Sequence, residues 1–309
     1  MIETYITPGG YMNTEATSYP EIEIGILGGT GLYDIDGIQN IRKIELQTPF
    51  GNPSDAYIVG TLSGREVAFL SRHGKGHTIL PSEINYQANI YGFKMMGAKR
   101  IISVNSVGSL KEKVKPRDIF IPDQFFDRTV HRPNSFFGNG AAAHIGFAQP
   151  VCPVVSRHLY DIGTGLDLNM HLGGTYICIE GPAFSTIAES NIYRSWGCDV
   201  IGMTAATEAK LSREAEMCYA AMNLITDYDV WYEAEGTVSV EMILENLKLN
   251  IQHAKNILKK AVAELPRQGE AACECGGAMQ NCLVTNPEMI SESARKRLHH
   301  ILHKYISAD

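Results

Sequence analysis

Short apolar runs alternate with turn-forming residues over most of the chain. Runs rich in β-branched and aromatic residues, bounded by Gly, Pro, Asn, Asp or Ser, predict strands at 24–27, 56–62, 66–71, 100–105, 119–125, 175–180, 200–203 and 219–226. Helical stretches fall between some of them, at 84–96, 156–162, 185–195 and 207–218. Strands alternating with helices predict an α/β layer fold. The close strand-then-loop succession from Ile58 to Ser71 adds antiparallel pairing, so the expectation is a mixed central β-sheet flanked by helices.

Toward the C-terminus the period changes. Val240, Ile243, Leu244, Leu247, Ile251 and Leu258 share one face of a long helix over 240–263, with Ser239 as its N-cap. The stretch 266–277 reads as a linker. A last amphipathic helix over 291–306 turns Ala294, Leu298, Ile301, Leu302 and Tyr305 inward. The expected organisation is a loosely ordered leader over 1–20, one domain over 21–265, and a C-terminal appendage over 266–309. There is no internal repeat or low-complexity tract.

Composition narrows the function classes. A chain of 309 residues, 44% hydrophobic and 20% charged, is long enough for one large α/β domain. The net charge of −7, with no Lys/Arg run, argues against a nucleic-acid surface; an anionic partner must be small and met locally. No apolar run is long enough to span a bilayer, and the first segment lacks the basic and apolar regions of a secretory signal. A cytoplasmic protein with no membrane partner is expected. Of seven cysteines, Cys152, Cys178, Cys198 and Cys218 lie singly among apolar neighbours and read as small buried hydrophobes. Cys273 and Cys275, in "AACECGG", form a Cys-x-Cys pair that is either a strained redox dithiol or half a metal site. Only Cys282 follows nearby and no second pair completes a zinc tetrad, so no metal is expected.

Chemistry gathers where strands end. The first strand runs into Gly28-Gly29-Thr30-Gly31, a turn whose bared N–H groups suit an anion or close a plain tight turn. Asp34 stands where a dinucleotide fingerprint needs glycine, and no Gly-Lys-Ser/Thr follows, so neither a dinucleotide nor a nucleoside triphosphate is supported. Arg72 offers a planar fork for phosphate oxygens, and His73 a proton donor or relay. His73 and His77 have H-x-x-x-H spacing, but Gly74, Gly76 and Pro81 break the helix a zinc motif needs. Asn105 and Ser106, then Met203 and Thr204, bring small polar groups to two further strand ends. Phe184, next to Ser185, is either a core aromatic or a platform for a flat ligand. Asp227 and Asp229 follow an apolar strand. If the strand continues through them both face one side, with a proton to donate if burial raises their pKa; otherwise they are a solvated loop pair or a cap. Taken together, these strand ends describe a pocket for a phosphate next to a polar organic molecule.

The ordered set "GGTGLYD", "TPFGNPSD", "RHGKGHTILPSEINYQANI", "NSVGSL", "DQFFDRT", "EGPAFST", "GMT" and "TDYD" resembles the 5′-methylthioadenosine phosphorylases of the purine nucleoside phosphorylase superfamily, over about 23–265. The Cys-x-Cys resembles a feature of some archaeal and bacterial members. The resemblance implies a nucleoside phosphorylase-like fold and phosphorolysis of the nucleoside, with inorganic phosphate as co-substrate and no cofactor. It implies phosphate contacts from Thr30, Arg72, His73, Ser106 and Thr204, with Asn105 beside them. Met203 would lie under the ribose, and Phe184, Ser185, Asp227 and Asp229 would hold the base, with Asp227 as general acid. His77, Val240 and Ile243 would line the methylthio end. His144 would reach across from a neighbouring subunit of a homotrimer or of a hexamer built from trimers. Ala183 replaces the arginine of the family's Glu-Gly-Pro-Arg-Phe, and Thr207 stands where proline usually precedes Glu208. The alternatives are a phosphorylase of 6-oxopurine nucleosides or methylthioinosine, a nucleoside-binding protein that has lost catalysis, and a hydrolase.

Overall fold

Two strands with little polar alternation form the centre of the sheet, because both of their faces are covered. The computed structural model describes residues 3–5, 19–29, 32, 35–232, 240–266 and 273–306, with backbone alone for 3–5 and 240–244. In chain order the strands are β1 (Glu3–Tyr5), β2 (Ile24–Gly28), β3 (Gln39–Ile44), β4 (Tyr57–Leu62), β5 (Arg65–Ser71), β6 (Arg100–Ser109), β7 (Ile119–Ile121), β8 (Gln124–Asp127), β9 (Met170–Leu172), β10 (Thr175–Cys178), β11 (Val200–Gly202) and β12 (Cys218–Asp227). The helices are α1 (Tyr86–Met95), α2 (Pro153–Thr164), α3 (Ile187–Ser195), α4 (Ala205–Glu214), α5 (Val240–Glu264), α6 (Glu292–Arg297) and α7 (His299–Leu302). The central pair is β6 and β12, and all ten positions of β12 are buried.

The sheet is mixed, as expected, and it forks at β6. One edge of β6 runs parallel to β12. The other edge pairs with β2, parallel, from Arg100 to Ser103, and then with β11, antiparallel, at Gly108 and Ser109. Between those contacts, 104–107 face neither strand. A change of neighbour along one strand opens a crevice, the usual place for a ligand in an α/β sheet. Two apolar layers cover the faces. Alternate residues such as Ile101 and Ala221 pack with α1 and α4, and Ile102 and Met222 with α2 and α5. Ala294, Leu298, Ile301 and Leu302 of the C-terminal segment join the first layer, and the Tyr91 hydroxyl donates to the Arg297 carbonyl at 2.9 Å.

The structure departs from the expected elements in several places. The strand expected over 119–125 is two strands, because Pro122 offers no N–H; β7 pairs with β12 and β9, whereas β8 pairs with β10. β3 and β9 were not expected: β3 is mostly polar and half-exposed, and β9 is only three residues. Within the segment read as a leader, Glu3–Tyr5 forms β1 alongside β3. The helix expected over 207–218 begins at Ala205 and ends at Glu214, leaving Cys218 to open β12. The last amphipathic helix is broken at Leu298 into α6 and α7, and Tyr305 is only partly buried. Ser239, read as an N-cap, lies outside the described residues. No helix among the described residues is long and apolar enough to cross a membrane.

One buried ion pair ties the strand ends around the crevice. Arg72, just past β5, donates from Nε to Glu208 Oε1 at 2.6 Å and from Nη2 to Oε2 at 3.2 Å. The Ser103 and Tyr219 hydroxyls donate to the same carboxylate at 2.6 and 3.0 Å. Arg72 Nη1 also reaches the Val104 carbonyl at 2.9 Å. Burial works against the Arg72 charge, and the facing Glu208 more than restores it, so its pKa is raised. Removing one partner strands the other charge. Arg72→Ala is therefore expected to destabilise the fold by about 3–5 kcal/mol in denaturant unfolding. The charge-free pair Arg72→Met with Glu208→Gln should recover most of that loss; a double variant as unstable as Arg72→Ala would show that the stranded charge is not the cause.

Candidate active site

The crevice is a cavity of about 550 Å³ at the fork. Its walls come from separate elements: Gly29 and Leu32 after β2, Arg72, His73 and His77 after β5, 104–108 of β6, and Met203 and Thr204 after β11. Thr226, Asp227 and Asp229 close the end of β12, Phe184 and Ser185 precede α3, and Leu247 and Ile251 come from α5. Thr30 and the side chains of Val240 and Ile243 lie outside the described residues. His144 does not line the cavity; it is exposed on the surface, its N–H bonded to the Cys282 carbonyl at 2.9 Å. Every other residue named from the sequence as a site residue is brought to this one cavity.

At one end sit groups suited to an anion. Ser106 is the one exposed position in an otherwise buried β6, because the fork leaves its side chain facing the cavity. Arg72 differs from the expectation of a free fork: Glu208 occupies its bidentate edge, and Nη1 keeps one N–H beyond the bond to Val104. His73 stacks on His77 with ring centroids 4.2 Å apart. Its Nδ1 lies 2.8 Å from the Ile79 carbonyl, which only accepts, so Nδ1 carries the proton. Burial, and then the Arg72 charge, lower its pKa to about 4. The neutral ring therefore presents Nε2 as an acceptor. Asn105 is occupied as well: Oδ1 accepts from Thr204 Oγ1 and Nδ2 donates to Asn223 Oδ1, both at 3.1 Å, so it holds Thr204 in place.

The other end carries the two carboxylates. A bulge between Ile225 and Asp227 ends the regular pairing of β12 with β6, and Asp229 adopts φ +54° in the turn beyond. Both side chains face the cavity, by this route and not by continued strand alternation. Burial raises the pKa of both. Asp227 accepts from the Thr226 hydroxyl at 2.7 Å and from the Asp229 N–H at 2.8 Å, which pull its pKa back down. Asp229 is raised to about 6 by burial, with the Ser190 hydroxyl pulling the other way, and its Oδ2 is buried without a close hydrogen bond. The Ser185 hydroxyl is likewise buried and unpartnered. Phe184 beside it is 50% exposed, an open ring face at the cavity wall.

Two supports escaped the sequence reading. Glu208 was noticed only for the residue before it, yet it is the partner of Arg72. Arg132 donates to the Glu180 side chain at 2.8 Å, to the Glu180 carbonyl at 2.7 Å and to the Met203 carbonyl, joining the base-side loop to the β11 end. A cation thus still holds this loop although Ala183, which is exposed, has none to offer. The signal for Arg132 was slight, a lone Arg before Pro133 in a loop. Thr207 is fully buried in α4 with its hydroxyl unpartnered.

A model of the phosphorylase superfamily matches residues 23–263. The S-methyl-5′-thioadenosine phosphorylase of Gloeobacter violaceus is 49% identical over 292 residues, covering 93% of this chain and 97% of that protein. The enzyme of the same name from Geobacter sulfurreducens is 50% identical over 284 residues, covering 92% and 99%. The crystal structure of a methylthioadenosine phosphorylase from an Antarctic soil metagenomic library superposes with a TM-score of 0.87 at 43% identity, over 92% of this chain and 99% of that one. A family match over most of the fold, with relatives about half identical along nearly their whole length, establishes that this chain belongs to the phosphorylase superfamily.

Proposed function

We propose that the cavity catalyses phosphorolysis of 5′-methylthioadenosine, giving adenine and 5-methylthioribose 1-phosphate. The observation that carries this reading is a pair of buried polar atoms without a close hydrogen bond, Asp229 Oδ2 and Ser185 Oγ, beside the open ring of Phe184. Such atoms are costly unless a ligand completes them, and a flat heterocycle with polar edges does so. The nucleoside named for the relatives has that base.

In the proposed reaction a phosphate oxygen attacks the anomeric carbon as the N-glycosidic bond breaks. Positive charge develops on the ribose and negative charge on the base. Thr30, Ser106, Thr204 and the remaining N–H of Arg72 would hold the phosphate. His73 Nε2 would accept the proton of a monoprotonated phosphate. The Asp227/Asp229 pair would deliver a proton to the purine and accept hydrogen bonds from its exocyclic amine, so a 6-oxopurine would be mismatched. The sequence reading gave the proton to Asp227; the two donors on Asp227 and the higher pKa of Asp229, raised by burial and by Asp227, favour a proton shared by the pair. Leu247 and Ile251, with His77, Val240 and Ile243, would take the methylthio group, where a hydroxyl would lose its water partners. The chemistry asks for no metal at the cavity.

We further read the chain as a homotrimer or hexamer, with His144 serving a neighbour's cavity. The support is a set of exposed apolar side chains, Phe126 on β8 and Ile187 and Ile192 on α3, with Val130 just beyond β8 and Trp196 capping α3.

Protein mixed with methylthioadenosine should release adenine only when phosphate is present. Equal release without phosphate would make it a hydrolase, and inosine turned over as fast would reject the adenine-type pocket. Because Asp229 holds its proton only below about pH 6, kcat/KM of the free enzyme should fall as pH rises through that value. Asp227→Asn and Asp229→Asn should each lower kcat by about 10²-fold or more, and the double variant should be little worse than the poorer single one. Additive losses would show two independent groups. A Cβ on Gly108 would sit 2.8 Å from Asp227 Oδ1. Gly108→Ala should therefore cost roughly tenfold or more in kcat through misplacement of the pair, as measured by steady-state assay, with the phosphate KM unchanged.

A further inference from the structure

The Cys-x-Cys that sequence spacing left as either a strained redox dithiol or half a metal site meets two further cysteines in the fold. The sulfurs of Cys152, Cys218, Cys273 and Cys275 all lie within 4.8 Å of one another. Three of these residues are buried and Cys273 is exposed. They come from separate elements: Cys152 is the N-cap of α2, Cys218 opens β12, and Cys275 begins a short 3-10 turn, Cys275–Gly277.

We propose that these four thiolates bind one zinc ion as a structural clamp. With Zn–S bonds of about 2.3 Å, the sulfurs of a tetrahedral site stand about 3.8 Å apart. The Cys218 and Cys273 sulfurs are 3.5 Å apart, close to that edge and well beyond the roughly 2.05 Å of a disulfide. An all-sulfur tetrahedron favours zinc over calcium or magnesium. The surroundings suit the net negative charge of such a centre. Cys152 stands at the positive end of α2, and Arg213 Nη1 points at Cys275 Sγ from 3.8 Å. Binding releases the thiol protons to solvent, and the exposed Cys273 gives the ion a way in.

The clamp is remote from the reaction. Ten residues of β12, roughly 30 Å at the rise of a strand, separate Cys218 from the Asp227 end. What it joins is the segment from Cys273 onward to α2 and to the start of β12. Its loss should therefore lower thermal stability and leave kcat little changed.

The test is metal analysis of the full-length protein purified under reducing conditions. About one zinc per chain is expected, held by four thiolates. Cys273→Ser/Cys275→Ser should retain less than about a tenth of that, while Cys282→Ser, outside the cluster, retains it in full. Cobalt loaded into the chelated protein should show thiolate-to-metal charge-transfer and tetrahedral d–d bands. If the double variant does not fold, Cys273→Ser alone should weaken zinc retention against a competing chelator. Three results would overturn the proposal: reduced protein that takes up no zinc, a fresh chain lighter by four hydrogens through two disulfides, or the absorbance of an iron–sulfur cluster.

Discussion

The cavity exists in its present shape because Arg72 and Glu208 must neutralise each other in a place without water. The carboxylate is fully buried and the guanidinium almost so. Neither tolerates that environment alone. Their bonds, with those of Ser103 and Tyr219, fix the end of β5 against α4, β6 and β12. A buried ion pair is weak evidence for net stability, since an apolar pair of similar volume often does as well. Here its value is positional: it sets the distance between the strand end carrying His73 and the helix start carrying Thr204. The same commitment limits what Arg72 offers a ligand, because its bidentate edge faces inward.

Much of this architecture was legible in the chain. The strands that matter to the site are mainly apolar runs ending in Gly, Ser or Asp, and that grammar survives without an alignment. β3 and β9 were illegible because one lies at a polar, half-exposed margin and the other is too short for its period to register. The fork at β6 could not be read either, since one continuous run of sequence changes partner midway. The two carboxylates do reach one cavity, but by a route other than the one the sequence suggested. Asp227 and Asp229 converge through a bulge and a left-handed turn, not through strand alternation.

The cysteines show the opposite failure. Cys152 and Cys218 were read as isolated hydrophobes, and both are buried as expected. Burial said nothing about company. Cys218 lies 55 residues before Cys273, so no local spacing rule joins them; only the sheet and the return of the chain after α5 bring the sulfurs together. Spacing motifs detect sites made by one turn of chain and are blind to sites made by topology.

The electrostatics of the cavity carry one further consequence. In the proposed reaction, phosphate and two carboxylates would share a single desolvated space. Repulsion between like charges there would be strong, and it would raise the pKa of the carboxyl pair beyond what burial alone achieves. Binding of the nucleophile would therefore load the acid: the anion proposed to attack the sugar would also make the Asp227/Asp229 pair hold its proton more tightly at neutral pH. The reverse holds by linkage, since a pair already protonated repels the phosphate less. His73, held neutral by burial and by the Arg72 charge, would fit the same economy of charge by accepting the proton proposed to leave the phosphate. Such an arrangement would couple occupancy at one end of the crevice to readiness at the other, with no moving part.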